Sequence, residues 1–188
     1  MRPHRVGRLS GLLVLLAWVA AAPVHAAEDI TVRAASATVR GGMLELDARV
    51  AYPVDNDLRG ALAAGATVDL ELQVALDRVN PYWFDQRLLL EYLQRELSWN
   101  GLSQRYVLKD TASDQQRTFA TLEEAMAAAG TVTDWKVAIG QRLEPAARYM
   151  VSVRARLRRG RLPSGLRALT FWTRYWSRSD WYSWPLPR

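Results

Sequence analysis

Residues 67–79, TVDLELQVALDRV, decide the fold, because apolar side chains recur at every second position. One face of the segment carries Val68, Leu70, Leu72, Val74 and Leu76, and the other carries Asp69, Glu71, Gln73 and Asp77. A period of two is typical of a β-strand with one face toward the core and one toward solvent. The segment therefore predicts a half-buried strand with an outward polar face.

The same alternation marks further strands on both sides of this segment. Residues 148–158, RYMVSVRARLR, repeat it most clearly, and residues 30–40, 43–52, 103–109 and 135–139 give shorter strand signals. Residues 88–99 fit either a helix or a strand. Asn100-Gly101 is a typical hairpin turn, so we interpret 88–99 as a strand.

Two short helices are predicted between strands. Residues 55–64 begin at Asp55, a favoured N-cap residue, and end before Gly65. Residues 121–124, TLEE, form a capping box that opens a helix ending at Gly130. We therefore expect a mainly β protein: an antiparallel two-sheet sandwich, of which an immunoglobulin-like arrangement is one form, with both helices in connections.

Residues 1–26 have the pattern of a cleaved secretory signal peptide. Three arginines precede the uncharged apolar run 12–22, which is too short to cross a bilayer of about 30 Å as a helix. Val24 and Ala26 place aliphatic and small residues before the expected cleavage site, which follows Ala26. We expect a periplasmic protein with a single β-rich domain over residues 27–188 and no transmembrane span in the mature chain.

The composition after cleavage excludes several function classes. The whole chain has a net charge of +6 and no cysteine, and both histidines, His4 and His25, lie in the leader. The leader removes three basic residues, so the remaining 22 basic and 19 acidic residues give only +3. Catalysis by a Ser-His or Cys-His pair and typical zinc sites need side chains that the mature domain lacks. We expect no metal, no cofactor, no nucleic-acid partner and no enzymatic activity.

Arg154, Arg156 and Arg158 form the first candidate binding surface. They project from one face of the strand predicted at 148–158, and guanidinium groups bind carboxylate and phosphate in a bidentate manner. The ligands considered are an envelope protein, an anionic glycan and a lipid headgroup. The alternative is that these arginines are balanced by the acidic face of residues 67–79.

Trp176 and Trp181 belong to an aromatic-rich C-terminal segment and form the second candidate surface. Seven aromatic residues fall within residues 171–184, interleaved with arginines. Exposed, they would suit a protein or sugar ligand; buried, they would belong to the sandwich core. The sequence leaves both alternatives open.

Several motifs in order resemble an exported bacterial family known as domain of unknown function 4390. They are Tyr82-Trp83-Phe84-Asp85, LSQRY at 102–106, FATLEEA at 119–125, Asp134-Trp135 and SDWYSW at 179–184. The family brings no catalytic residues. Its genes often neighbour an envelope sensor kinase of the nitrogen-regulation type, so the resemblance implies an accessory role in the periplasm.

These observations favour a non-enzymatic interaction module of the cell envelope, with an envelope protein as partner. Two alternatives stay open: a glycan-binding protein, and a hydrolase of envelope polymers that uses a pair of carboxylates.

The first prediction concerns the mature N-terminus. Intact-mass measurement of the protein recovered from expressing cells should give a chain that begins at Ala27. A product that retains His25 would move the cleavage site and return an imidazole to the mature chain, and an uncleaved product would contradict the leader.

Overall fold

The computed structural model describes residues 29–160 and 177–187. The predicted leader with its cleavage residue Ala26, and the candidate residue Trp176, lie outside these ranges. The described elements are, in chain order, β1 Thr31–Arg40, β2 Met43–Ala51, α1 Asn56–Ala63, β3 Val68–Val79, β4 Gln86–Asn100, β5 Arg105–Asp110, β6 Gln116–Phe119, α2 Leu122–Gly130, β7 Thr131–Ala138, β8 Arg148–Arg159, β9 Ser177–Arg178 and β10 Tyr182–Pro185.

The larger sheet is built around β3. Its strand order is β10-β8-β3-β4-β5-β6, and β9 pairs with β8 beside β10. All of these pairings are antiparallel. Because β3 has a full-length neighbour on each side, it is the most enclosed strand described, and its register fixes which side chains of β4 and β8 lie beside each other.

The smaller sheet has the order β1-β2-β7. Gly41 and Gly42 join β1 to β2 with φ angles of +57° and +79°. Positive φ at both central residues is what a tight hairpin of this hand requires, and glycine adopts it without steric cost. Gly41-Gly42 between two strand signals is also a hairpin signal in the sequence, and the structure confirms that hairpin.

The two sheets share one hydrophobic cluster. Leucine side chains from both sheets and both helices are completely or almost completely buried in it: Leu44, Leu46, Leu58, Leu62, Leu76, Leu97, Leu122 and Leu157. The structure therefore confirms a mainly β fold of two antiparallel sheets with two short helices in connections.

Both helices begin as the sequence predicts. The Asp55 carboxylate accepts a hydrogen bond from the Leu58 N–H at 2.7 Å. The Thr121 hydroxyl accepts from the Glu124 N–H at 3.2 Å, and the Glu124 carboxylate accepts from the Ala120 N–H at 3.2 Å. These bonds satisfy N–H groups that have no partner within the helix.

Residues 88–99 form a strand, as the sequence analysis interprets them, within the longer β4. Other strands differ from the sequence expectations. The short β6 was not expected, because its four residues are mostly polar and give no alternation. β7 begins at Thr131, directly after α2, rather than at Trp135, because its early residues pair with β2 across an irregularity.

Gly130 lies where α2 passes closest to β2. A Cβ atom at this position would overlap the carbonyl oxygen of Val50. Since a backbone atom of a central strand cannot move aside without disturbing its ladder, glycine is required here for packing.

We predict that Gly130→Ala lowers the free energy of unfolding by about 1–3 kcal/mol, the usual cost of overpacking. Gly60→Ala is the matched control, because nothing lies within 4 Å of a Cβ atom there and the site is helical. The control should be neutral or stabilising by up to about 1 kcal/mol. Urea denaturation of both variants checks this, and an equal loss in both would contradict the assigned contact.

Candidate functional site

Two polar side chains on the outward face of β3 are buried rather than exposed to solvent. Glu71 and Gln73 face away from the hydrophobic core, as predicted, but their side chains are only 3% and 2% exposed. Glutamate is almost never buried without a partner, because an unpaired charge loses its hydration there. The expectation of a solvated outward face is therefore wrong at these two positions.

The strand register supplies the partners. Glu71 lies opposite Arg156 of β8 on one side and Gln94 of β4 on the other. Gln73 lies opposite Arg154 in the same way. Directly opposite residues in antiparallel strands have Cβ atoms about 4.5–5.5 Å apart, so side chains of this length meet.

Four polar groups surround the Glu71 carboxylate. Its Oε1 accepts a hydrogen bond from Gln73 Nε2 at 2.6 Å, and its Oε2 accepts from Gln94 Nε2 at 3.4 Å. Nη1 of Arg156 lies 3.6 Å from Oε1, and Nη1 of Arg158 lies 3.5 Å from Oε2. The buried Glu71 carboxylate thus pairs with two guanidinium groups and accepts hydrogen bonds from two side-chain amides.

Arg154 extends this network toward Trp181. Its Nε and Nη2 both donate to Gln73 Oε1, at 3.0 and 2.6 Å. Its guanidinium carbon lies 4.3 Å from the centre of the Trp181 ring, a cation–π distance. Burial lowers the pKa of Arg154, and the positive charges of Arg156 and Arg178 lower it further. The group stays protonated, since arginine titrates far above neutral pH.

A groove of about 440 Å³ opens beside this network. It is lined by Arg156, Leu157, Arg158, Ser177 and Arg178. Arg178 of β9 lies opposite Arg156, which adds a third guanidinium. Arg156 Nε is buried and has no hydrogen-bond partner in the described part of the chain. We call this feature the arginine groove.

Among residues 29–160 and 177–187, three arginines and no carboxylate line the arginine groove, which gives it a positive charge. Two acidic residues of β3 lie next to these arginines: Glu71 is paired with Arg156 and Arg158, and Asp69 lies directly opposite Arg158. The geometry therefore offers several N–H donors and positive charge to an anion that enters from solvent.

The structure describes four of the five binding residues predicted from the sequence. The structure brings Arg154, Arg156 and Arg158 together on one face and puts Trp181, 38% exposed, against Arg154. Trp176 lies outside the described residues. The predicted alternative, that the arginines are balanced by the acidic face of residues 67–79, holds in part through Glu71.

Sequence reasoning missed the burial of Glu71 and Gln73 and the place of Arg178 beside the groove. A signal for the first two existed: polar residues spaced by two on one strand, and arginines spaced by two on another. Pairing these two strands would have brought them together, but the sequence does not state which strands are neighbours. Arg178 carried no signal beyond its place in the aromatic-rich segment.

A second arginine site has a structural role. Arg95 Nη1 donates to the carbonyl oxygens of Ala128, Ala129 and Thr131, at 3.3, 2.8 and 3.0 Å. Burial lowers the pKa of Arg95, and neighbouring Arg117 lowers it further. A cation at the C-terminus of α2 satisfies carbonyls that have no helical partner, so this arginine caps the helix.

Comparison with known proteins gives one family. The family model described as "Domain of unknown function (DUF4390)" matches residues 27–185. No curated protein and no solved structure matches with significance. Within the described ranges, no helix is both long and apolar enough to cross a membrane, and no three His, Cys, Asp or Glu side chains converge as metal ligands.

The central role of Glu71 predicts a specific loss. Glu71→Gln keeps the shape but leaves Arg156 and Arg158 without their counter-charge and turns an N–H donor toward them. We expect a loss of about 2–3 kcal/mol in the free energy of unfolding, below the full cost of breaking a buried pair because both arginines are partly exposed. Added salt should recover part of the loss, since it screens repulsion between guanidinium groups.

Glu123→Gln is the control, because Glu123 pairs with Arg59 on an exposed surface. It should leave stability unchanged within error. The double variant E71Q/R156Q should be less destabilised than the sum of its single variants. Additive losses, or a Glu71→Gln protein as stable as the wild type, would show that the carboxylate does not organise the face.

Proposed function

The chain belongs to the DUF4390 family, and from that premise we propose that it is an exported, non-enzymatic interaction module of the cell envelope. In this proposal its arginine groove binds an acidic segment of an envelope protein, for which an envelope sensor kinase is the leading candidate. The observation that carries the proposal is the convergence of Arg156, Arg158 and Arg178 on one open groove.

The chemistry of the groove supports an anionic ligand. Guanidinium groups donate in a planar fork that matches the two oxygens of a carboxylate. Glu71 and Gln73 hold Arg154, Arg156 and Arg158 in place from below, so less side-chain freedom is lost when a ligand binds. Arg158 and Arg178, which are exposed, present guanidinium N–H donors at the surface of the groove.

Export is supported by the pattern of residues 1–26, and the range matched by the family model begins directly after the proposed cleavage site. A periplasmic location places the groove in the compartment that holds the extracytoplasmic segments of sensor kinases and other envelope proteins.

The residues around the groove support binding rather than catalysis. The mature chain contains neither histidine nor cysteine. A carboxylate-dependent hydrolase needs two carboxyl groups about 5–10 Å apart across a cleft. The described residues that line the arginine groove include no carboxylate. Three other grooves have one each: Asp110 in a groove beside Arg95, Glu96 in a groove beside Trp99, and Asp47 in a groove beside Arg49.

Glycan binding is the second candidate, and one observation favours it. Trp181 is 38% exposed and lies against Arg154 at the edge of the arginine face, where a sugar ring could stack on it. Soluble peptidoglycan fragments should then quench tryptophan fluorescence in the wild type but not in a Trp181→Ser variant. No quenching at millimolar fragment concentration would remove this candidate.

The test of the protein-partner proposal is crosslinking in intact cells, followed by mass spectrometry of the captured proteins. The variant R158S/R178S removes two groove arginines that are largely exposed, so folding should be preserved. The variant R154S/R156S/R158S removes all three candidate arginines from the outward face of β8. Both should lose the partner captured by the wild type, by at least about tenfold, which corresponds to about 1.4 kcal/mol.

The matched control is R33S/R49S, which removes two exposed arginines from the smaller sheet and changes the net charge equally. The control should capture the partner as the wild type does. Unchanged capture by R158S/R178S, or equal loss in the control, would overturn the assignment of the groove.

A further inference from the structure

The connection between β3 and β4 displays three consecutive aromatic side chains to solvent. Tyr82, Trp83 and Phe84 are 93%, 78% and 86% exposed. These are among the largest apolar side chains in the protein, and burying them would be strongly favourable. Exposed apolar clusters of this kind mark sites that meet a protein or a membrane. We call residues 80–85 the aromatic tip.

Hydrogen bonds within the aromatic tip fix its shape. Asn80 Oδ1 accepts from the Tyr82 N–H at 3.1 Å, and Asp85 Oδ1 accepts from the Asn80 N–H at 3.0 Å. The Trp83 and Phe84 rings meet edge to face, with centres 6.3 Å apart. The loop backbone is thus tied across its base, while the three rings are exposed to solvent.

Among the described residues, most charged side chains at the base of the tip are engaged in ion pairs or hydrogen bonds, and Arg148 is an exception. Glu144 is paired with Arg78, and Asp77 is paired with Arg87. The Asp85 carboxylate accepts a hydrogen bond from the backbone of the loop. Arg148 lines a groove of about 650 Å³ with Asn80 and Pro81, and it forms no ion pair with any residue in the described ranges.

We infer that the aromatic tip inserts into the interfacial layer of a phospholipid membrane, with Arg148 beside the headgroup phosphates. Tyrosine and tryptophan favour this layer because each combines an apolar ring with one polar group. Three neighbouring exposed rings beside Arg148 match a layer in which apolar chains meet headgroup phosphates. The inference concerns a different end of the molecule from the arginine groove and does not depend on it.

The test is co-sedimentation of the processed, purified protein with vesicles. One set contains phosphatidylethanolamine and phosphatidylglycerol, and the other contains phosphatidylcholine alone. The wild type should bind both, and the anionic set more tightly. The variant Y82S/W83S/F84S should bind at least about tenfold more weakly to both sets, whereas Arg148→Ser should lose only the preference for anionic vesicles.

Leu102→Ser is the matched control for surface apolarity. Leu102 is fully exposed in the turn that follows β4, and the aromatic tip precedes β4. The 15 residues of the strand separate the two by about 50 Å. Binding by Leu102→Ser should equal that of the wild type. R158S/R178S should also bind vesicles normally, so a failure of the tip and a failure of the arginine groove are distinguishable.

Brominated lipids report the depth of insertion. They should quench part of the tryptophan fluorescence of the wild type, and Trp83→Phe, compared at equal bound fraction, should lose that quenched part. Failure of the wild type to bind at millimolar lipid, or undiminished binding by Y82S/W83S/F84S, would overturn the inference. Loss of a crosslinked protein in the triple variant, without vesicle binding by the wild type, would identify the tip as a protein-docking site instead.

Discussion

The buried carboxylate of Glu71 is the constraint on which the outer face of the larger sheet depends. It lies on the central strand, between β8 and β4, and compensates Arg156 and Arg158 while two amides satisfy its oxygens. Without this negative charge the guanidinium groups of β8 would repel each other across adjacent outward positions. Because a buried charge is costly unless it is paired, the same contact also fixes the register of β3 against β8.

The arginines that form ion pairs with Glu71 also line the groove that we propose as an anion-binding site. Glu71 and Asp69 lie opposite Arg156 and Arg158, and Arg178 adds a further guanidinium at the edge of the sheet. Arg156, Arg158 and Arg178 line the groove, and no described carboxylate does. A partner with acidic side chains would accept hydrogen bonds from these arginines. Because the arginines are already ordered, less side-chain entropy would be lost when the partner binds.

Much of the fold follows from the sequence, because alternation, turn glycines and helix caps act locally. Gly41 and Gly42 indicated their hairpin, and Thr121 with Glu124 indicated the start of α2. The candidate site was only partly predictable: Arg154, Arg156 and Arg158 were correctly assigned to one face, but Glu71 was assigned to solvent. Its burial depends on which strands are neighbours, and that pairing is set by long-range packing, for which a single sequence gives no direct signal.

The most direct test of this account is an NMR titration of arginine side chains. Protein labelled with ¹⁵N at arginine is titrated with a short polyglutamate peptide at physiological ionic strength. The Nε–H signals of Arg156, Arg158 and Arg178 should shift together and saturate with one dissociation constant, while those of Arg33 and Arg49 stay in place. Equal shifts in all exposed arginines, or no saturable shift in the groove, would contradict the claim that Glu71 organises a specific anion-binding face.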